Sequence, residues 1–348
     1  MSENQYFSVS PKILFSVWIR IARAFHYFRG QIMKIFTGRA NPALAKGISD
    51  FLRQPLGNLT ITNFPDGEIF CKINDNVRGH DIFIVQPTCQ PVNESLVELL
   101  ILIESFRRAS ARRITCVVPY YGYARQDRKD DGRVPITAKL VANLLTEAGA
   151  DRIISMDLHA AQIEGFFNIP VDHLNAGIIL DKYFKSLQIP EEELVIVSPD
   201  VGGAKRSLKH QHVLGGGLAI VDKRRSSATD TVQANITGDS VEGKTAILFD
   251  DMISTAGSIC GAAKMIKDAG AAKVYIAATH AVFCGSAVEK LNAAPVEEIV
   301  VTDTIPLTPE RTPNRLRVLS VAELLGEAIR RIHFNESISC LFRDSEEG

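Results

Sequence analysis

Residues 248–258, LFDDMISTAGS, carry the side chains with the plainest chemical use. Asp250 and Asp251 end an apolar run of Ala246, Ile247, Leu248 and Phe249, and Ser254, Thr255, Ala256, Gly257 and Ser258 follow before a stretch of helical spacing. Two adjacent acids at the end of a buried strand serve packing poorly. They suit the vicinal hydroxyls of a ribose, directly or through hydrated Mg2+. The small-residue loop opens a helix, where unpaired backbone N–H groups and the positive end of the helix dipole hold a phosphate. The hydroxyls of Ser254, Thr255 and Ser258 add donors, and Gly257 lets the backbone come close. The expected ligand is a sugar phosphate, and the alternative is an ordinary strand-to-helix turn with an acidic cap.

Further polar residues follow other apolar runs. Asp157 and His159 lie two apart just beyond RIISM, so in extended backbone they point the same way and suit one metal site. An isolated histidine is more often a structural hydrogen-bonding residue. Asp200 ends LVIVSPD and precedes two glycines and a basic pair. A carboxylate, an imidazole and the phosphate oxygens of a nucleotide can share Mg2+, which keeps several waters. Arg125 and Gln126 come soon after RITCVVP, where a guanidinium can meet phosphate or stack on a base. Lys223, Arg224 and Arg225 directly after a strand suit the charge of a phosphoryl group in transfer. Asp66 and Gly67, in FPDGE, read by themselves only as a turn.

The elements that must position these residues alternate between short apolar runs and helical segments. DIFIVQP, RITCVVP, RIISMD, LVIVSPD, LAIVDK, TAILFDD, KVYIAAT and EIVVTD read as strands. NESLVELLILIESFRRAS, ITAKLVANLLTEAGA and AGSICGAAKMIKDAG read as helices. That alternation predicts an α/β fold of right-handed βαβ units, with mainly parallel sheets flanked by helices and functional residues at strand ends. A chain of 348 residues accommodates two cores, and the expected division falls near residue 175: 33–175 and 176–348. A net charge of -1 gives no bulk electrostatic case for nucleic-acid or membrane partners, so a small anionic metabolite is expected. Six cysteines without metal spacing fit buried thiols in a reducing compartment, and the expected location is cytoplasmic. Residues 1–32 mix aromatics with basic residues and make neither a spanning helix nor a secretory signal; Met33 is the expected working start.

In this order, FPDGE, VRGHDIFIVQ, YARQDRK, PITAKLVANLL, MDLHAAQIEGFF, VSPDVGGAKR, DKRR, FDDMISTAGS, ATHAVF, VVTDTIP and EAIRRIH closely resemble the ribose-phosphate pyrophosphokinase family from Met33 nearly to the C-terminus. The resemblance implies two phosphoribosyltransferase-type domains. It also implies transfer of the β,γ-pyrophosphoryl group of ATP to the 1-hydroxyl of ribose 5-phosphate. On the matched positions, Phe64, Asp66, Gly67, Glu68, Arg125 and Gln126 become ATP contacts. His159 and Asp200, with Asp157 as a neighbour, become magnesium-associated. Lys223 and Arg225 become the catalytic basic pair, with Arg225 also near the sugar phosphate. Asp250 and Asp251 take the ribose hydroxyls, and Ser254, Thr255, Ala256, Gly257 and Ser258 take the 5-phosphate. A homo-oligomer, often a hexamer, and activation by phosphate are implied as well. Ser254 departs from the acid common in this loop, and Ser258 from a threonine. A nucleobase phosphoribosyltransferase would share the loop but not DKRR, YARQDRK and MDLHAAQ. An inert synthetase-associated regulatory subunit would need none of Lys223, Arg225, His159 and Asp200.

Overall fold

A computed structural model describes residues 32–225, 232–339 and 341. Residues 1–31 of the expected N-terminal extension lie outside the described residues. The first sheet has the order β1 (Met33–Thr37), β4 (Asp81–Val85), β5 (Arg113–Val118), β6 (Arg152–Met156), β7 (Val171–Leu174), and every neighbouring pair is parallel. Strands β4, β5 and β6 are the runs DIFIVQP, RITCVVP and RIISMD read above, and Ile82, Phe83, Ile84 and Val85 have no exposed surface, as expected of strands covered on both faces. The crossover helices are α1 (Pro42–Leu52), α2 (Val92–Arg108) and α3 (Thr137–Ala148). A separate antiparallel hairpin, β2 (Leu59–Asn63) and β3 (Ile69–Ile73), carries FPDGE at its tip, where the sequence had offered only a turn.

The second sheet runs β10 (Val232–Gly238), β9 (Gly217–Arg225), β8 (Leu194–Ser198), β11 (Thr245–Ile253), β12 (Lys273–Ala281), β13 (Glu298–Thr302), β14 (Leu316–Leu319). It is parallel except for β9 and β10. Helices α4 (Gly177–Ser186), α5 (Ala204–Leu214), α6 (Gly257–Asp268) and α7 (Ala287–Ala293) belong to this half. Leu180 and Phe184 of α4 pack with Ile196, Ile247, Phe249 and Val300 of this sheet, so the chain changes sheets between Leu174 and Gly177.

The last helix does not stay with the second sheet. Leu325, Ala328, Ile329 and Ile332 of α8 (Ala322–His333) pack with Leu44 and Ile48 of α1 and with Ile35 and Phe83 of the first sheet. Polar contacts fasten its end there. Asp81 accepts from Arg113 Nε at 2.8 Å and from His333 Nδ1 at 2.8 Å, while Arg113 Nη2 donates to the Ile332 carbonyl at 3.1 Å. Burial pushes the Asp81 carboxyl up, but His333 and Arg113 more than offset it and leave it below the usual range. A depressed carboxylate contributes stability above its ordinary pKa of about 4, and that stability is lost as pH falls through the folded value. Asp81→Asn should therefore lower stability by about 3 kcal/mol at pH 7. In urea titrations, the gap from the native protein should close on acidification below the ordinary carboxylate range.

Candidate functional site

The site forms where β11 outruns its neighbour. Pairing of β11 with β8 ends at Leu248 opposite Val197, whereas pairing with β12 continues to Ile253. Asp250 and Asp251 therefore belong to the strand itself and lie past the end of β8, on a stretch with one open edge. Arg206 on α5 fills that gap. Its Nη1 donates to Asp250 Oδ1 at 2.9 Å and lies 3.3 Å from Asp251 Oδ1. Asp250 also turns back on its own strand and accepts the Asp251 N–H at 2.8 Å. From the first sheet, His159 places Nδ1 2.6 Å from Asp251 Oδ2.

The charges of this cluster are unequal. Burial acts to raise the Asp251 carboxyl, but the His159 hydrogen bond and Arg206 overcome it and hold the group well below the usual carboxylate range. Burial raises Asp250 well above that range, and the neighbouring Asp251 adds to the shift. The Asp251 hydrogen bond raises His159 against the opposite effect of burial. With Nδ1–H directed at Asp251, neutral His159 presents Nε2 as a lone pair, the arrangement of a carboxylate-supported metal ligand.

Asp200 closes the turn that leads into α5: its Oδ1 accepts the Gly203 N–H at 2.8 Å. Glycine is needed at 203, because a Cβ there would stand 2.9 Å from Ser198 Oγ. The carboxylate is exposed and keeps a second oxygen for a cation. Asp157, the expected metal neighbour, uses one oxygen as a tether: its Oδ2 accepts the Ala176 N–H at 3.1 Å and the Thr279 hydroxyl at 2.5 Å. Among the described residues no three His, Cys, Asp or Glu side chains gather as a metal cluster. A donor set of His159 and Asp200 fits Mg2+, which takes most of its oxygens from water and substrate phosphate.

Immediately after β11, residues 254–258 open α6. Ala256 is buried with φ +61°, a left-handed turn that a residue with a side chain adopts only when its surroundings impose it. Its side chain does not cap the helix, and the start of a helix is where backbone N–H groups and the helix dipole favour a phosphate. A Cβ on Gly257 would find its nearest neighbours, Lys290 Nζ and Thr255 Oγ1, only at 3.9 Å. Lys290 donates to the Thr255 carbonyl at 3.3 Å and adds positive charge at the rim. Ser254 Oγ lies 3.3 Å from Cys284 Sγ, and the Ser254 carbonyl takes the Cys284 N–H at 3.0 Å. The Ser254 hydroxyl is thus engaged with Cys284, while Thr255, Gly257 and Ser258 are exposed.

The remaining expected residues are distributed more widely. Arg125 is exposed, and its charge acts on Tyr120, which burial raises. Gln126 accepts the Thr137 hydroxyl at 2.5 Å on its side chain and the Ala138 N–H at 3.1 Å on its carbonyl, anchoring the start of α3. Phe64, Asp66, Gly67 and Glu68 form the β2–β3 tip: Phe64 packs edge-on against Phe70 with centroids 5.7 Å apart, and Asp66 accepts the Glu68 N–H at 3.1 Å. Among the described residues, the tip bonds with itself, Asn63 and Phe70 and does not meet the His159 cluster within this chain. Lys223 and Arg225 are on β9, opposite Ala234 and Val232 of β10, rather than directly after a strand; their side chains lie outside what the structure describes. Arg206 lies within VSPDVGGAKR but has no assigned role in the sequence reading, and Lys290 has none either. The signal for Arg206 was a cation two residues into the helix that follows Asp200.

The matched families agree along the chain. A family described as the N-terminal domain of ribose phosphate pyrophosphokinase matches residues 33–149, and one described as a phosphoribosyl synthetase-associated domain matches residues 224–343. The ribose-phosphate pyrophosphokinase of Rhodopirellula baltica is 58% identical over 312 residues, covering 90% of this chain and 99% of that protein. That of Gloeobacter violaceus is 53% identical over 312 residues, covering 89% and 93%. The crystal structure of phosphoribosylpyrophosphate synthetase from Mycobacterium smegmatis superposes with a TM-score of 0.82 at 43% identity, covering 87% of this chain and 99% of that one. The chain belongs to the ribose-phosphate pyrophosphokinase family.

Proposed function

We propose that this chain transfers the β,γ-pyrophosphoryl group of ATP to the 1-hydroxyl of ribose 5-phosphate, giving 5-phosphoribosyl 1-pyrophosphate and AMP. The observation that carries the reading is the passage of β11 into α6. Two acids held by Arg206 and His159 sit directly before a small-residue loop that opens a helix, where the positive end of the helix dipole favours a phosphate. In this reading Asp250 and Asp251 take the ribose hydroxyls, and residues 254–258 take the 5-phosphate, with Arg225 beside it. Phe64, Asp66, Gly67, Glu68, Arg125 and Gln126 hold ATP. The 1-hydroxyl oxygen attacks the β-phosphorus, the bond to the α,β-bridging oxygen breaks, and AMP leaves. Lys223 and Arg225 stabilise the charge that moves onto the transferring group. His159 and Asp200 would hold Mg2+, which would supply neutralisation of the nucleotide phosphates. Family resemblance adds a homo-oligomer, a hexamer built from dimers, a cytoplasmic setting and activation by phosphate. No described helix is long and apolar enough to cross a membrane.

AMP should appear from ATP only when ribose 5-phosphate is present, and excess chelator should abolish its release. AMP formation independent of the sugar phosphate, or none under any condition, would overturn the reading. The Ser254→Asp substitution tests the phosphate loop separately. Because backbone amides form the cradle and the Ser254 hydroxyl is engaged with Cys284, KM for ribose 5-phosphate should change by less than about tenfold, roughly 1.4 kcal/mol. A much larger rise at saturating ATP would refute the backbone-cradle account, since the loop would then not tolerate a carboxylate beside the phosphate.

A further inference from the structure

The turn that delivers His159 is braced from both sheets. Asp157 adopts φ +37°, a conformation that a non-glycine residue keeps only where its surroundings over-determine it. Its N–H donates to the Leu174 carbonyl at 3.0 Å, and the Leu158 N–H donates to His173 Nε2 at 2.8 Å. Both contacts come from β7. Besides the Ala176 N–H on Asp157 Oδ2, further partners come from β12 of the second sheet. His280 Nε2 lies 3.1 Å from the Met156 carbonyl and 3.3 Å from the Asp157 carbonyl, while the Thr279 hydroxyl donates to Asp157 Oδ2. Thr279 and His280 are both 2% exposed, so these are dry contacts with no water to replace them.

The partners fix the tautomers. Two carbonyls can only accept, so His280 Nε2 carries the proton and its Nδ1 accepts from the Thr304 hydroxyl at 2.9 Å. The Leu158 amide can only donate, so His173 Nε2 is bare and its Nδ1–H donates to Glu164 at 2.6 Å. Register connects this brace to the acids: His280 pairs with Met252, the residue after Asp251 on β11. One end of β12 therefore holds both the strand that carries Asp251 and the turn that carries His159.

We propose that Thr279 and His280 are positioning residues, which lock the residue 156–158 turn so that His159 meets Asp251 across the junction of the two sheets. The inference rests on the proposed function in placing His159 and Asp251 in the working site. The test uses Thr279→Val, which is isosteric, and His280→Phe, which removes the donor to two carbonyls. His280→Gln supplies the rescue, since its amide keeps an N–H for the same carbonyls. In Thr279→Val and His280→Phe, kcat should fall and the Mg2+ concentration for half-maximal velocity should rise by about tenfold, the usual scale for losing a supporting contact. KM for ATP should stay within about twofold, since the ATP contacts proposed above are untouched. Amide exchange of residues 156–159, measured without substrates, should quicken in both. His280→Gln should recover most of each loss.

Native exchange together with a native Mg2+ requirement in Thr279→Val would overturn the proposal. Lost activity with unchanged exchange, or a His280→Gln as impaired as His280→Phe, would also overturn it. Should His280→Phe not fold, Thr279→Val decides alone on the same readings. Exchange needs no substrate, so a native protein that released no AMP would overturn the proposed function and leave the positioning claim to be judged on exchange.

Discussion

Lys223→Ala is expected to lower kcat by about a hundredfold, roughly 3 kcal/mol, the scale seen when a preorganised donor to developing charge is removed. A cation that acts chiefly in the transition state contributes little to ground-state affinity, so KM for ATP should move by much less. Steady-state kinetics at saturating ribose 5-phosphate separate the two quantities. A rise in KM with kcat preserved would make Lys223 a ground-state binder and remove it from the catalytic step.

Arg206→Met carries the next largest expected effect. The guanidinium faces both acids at 2.9 and 3.3 Å, and without it two largely buried carboxylates share one strand end, where among the described residues His159 is the other side chain paired with Asp251. Removing one member of a buried charge network costs about 3–5 kcal/mol when the remainder stays charged. Here burial already raises Asp250, and losing Arg206 removes the charge that lowers it, so proton uptake reduces the cost. A protonated Asp250 loses acceptor strength toward a ribose hydroxyl. KM for ribose 5-phosphate should therefore rise by about thirtyfold, roughly 2 kcal/mol, with KM for ATP much less affected. A change below about threefold in the sugar-phosphate titration would show that Arg206 organises the strand end without serving the substrate.

The sequence was most legible where one short segment held a whole device. The acids of β11 and the loop of α6 are contiguous, so apolar run, carboxylates and small residues could be read together, and the structure places them as strand, strand end and helix start. The parallel βαβ order was legible for the same reason, since strands buried on both faces leave continuous apolar runs such as residues 82–85. Contacts across long chain separations were not legible. Nothing near Asp157 in sequence announces Thr279 as the partner of its carboxylate, and that distant hydroxyl ties one of its oxygens to the second sheet. The return of α8 to the first sheet was hidden similarly: its apolar stripe shows that one face is buried but does not name the surface that buries it. Lys223 to Arg225 were read as following a strand because LAIVD ends its apolar run there, whereas antiparallel pairing with β10 carries the strand through the basic residues.

The central claim is that the 1-hydroxyl oxygen of ribose 5-phosphate attacks the β-phosphorus of ATP. Ribose 5-phosphate labelled with oxygen-18 at the anomeric hydroxyl, incubated with ATP, Mg2+ and the protein, tests it directly by phosphorus NMR of the product. The account predicts that the label is retained in the bridge between C1 and the transferred phosphorus, with one AMP formed for each product molecule. A product whose bridging oxygen carries no label would mean that the bond from C1 to oxygen broke, the chemistry of a phosphoribosyltransferase, and would contradict the account.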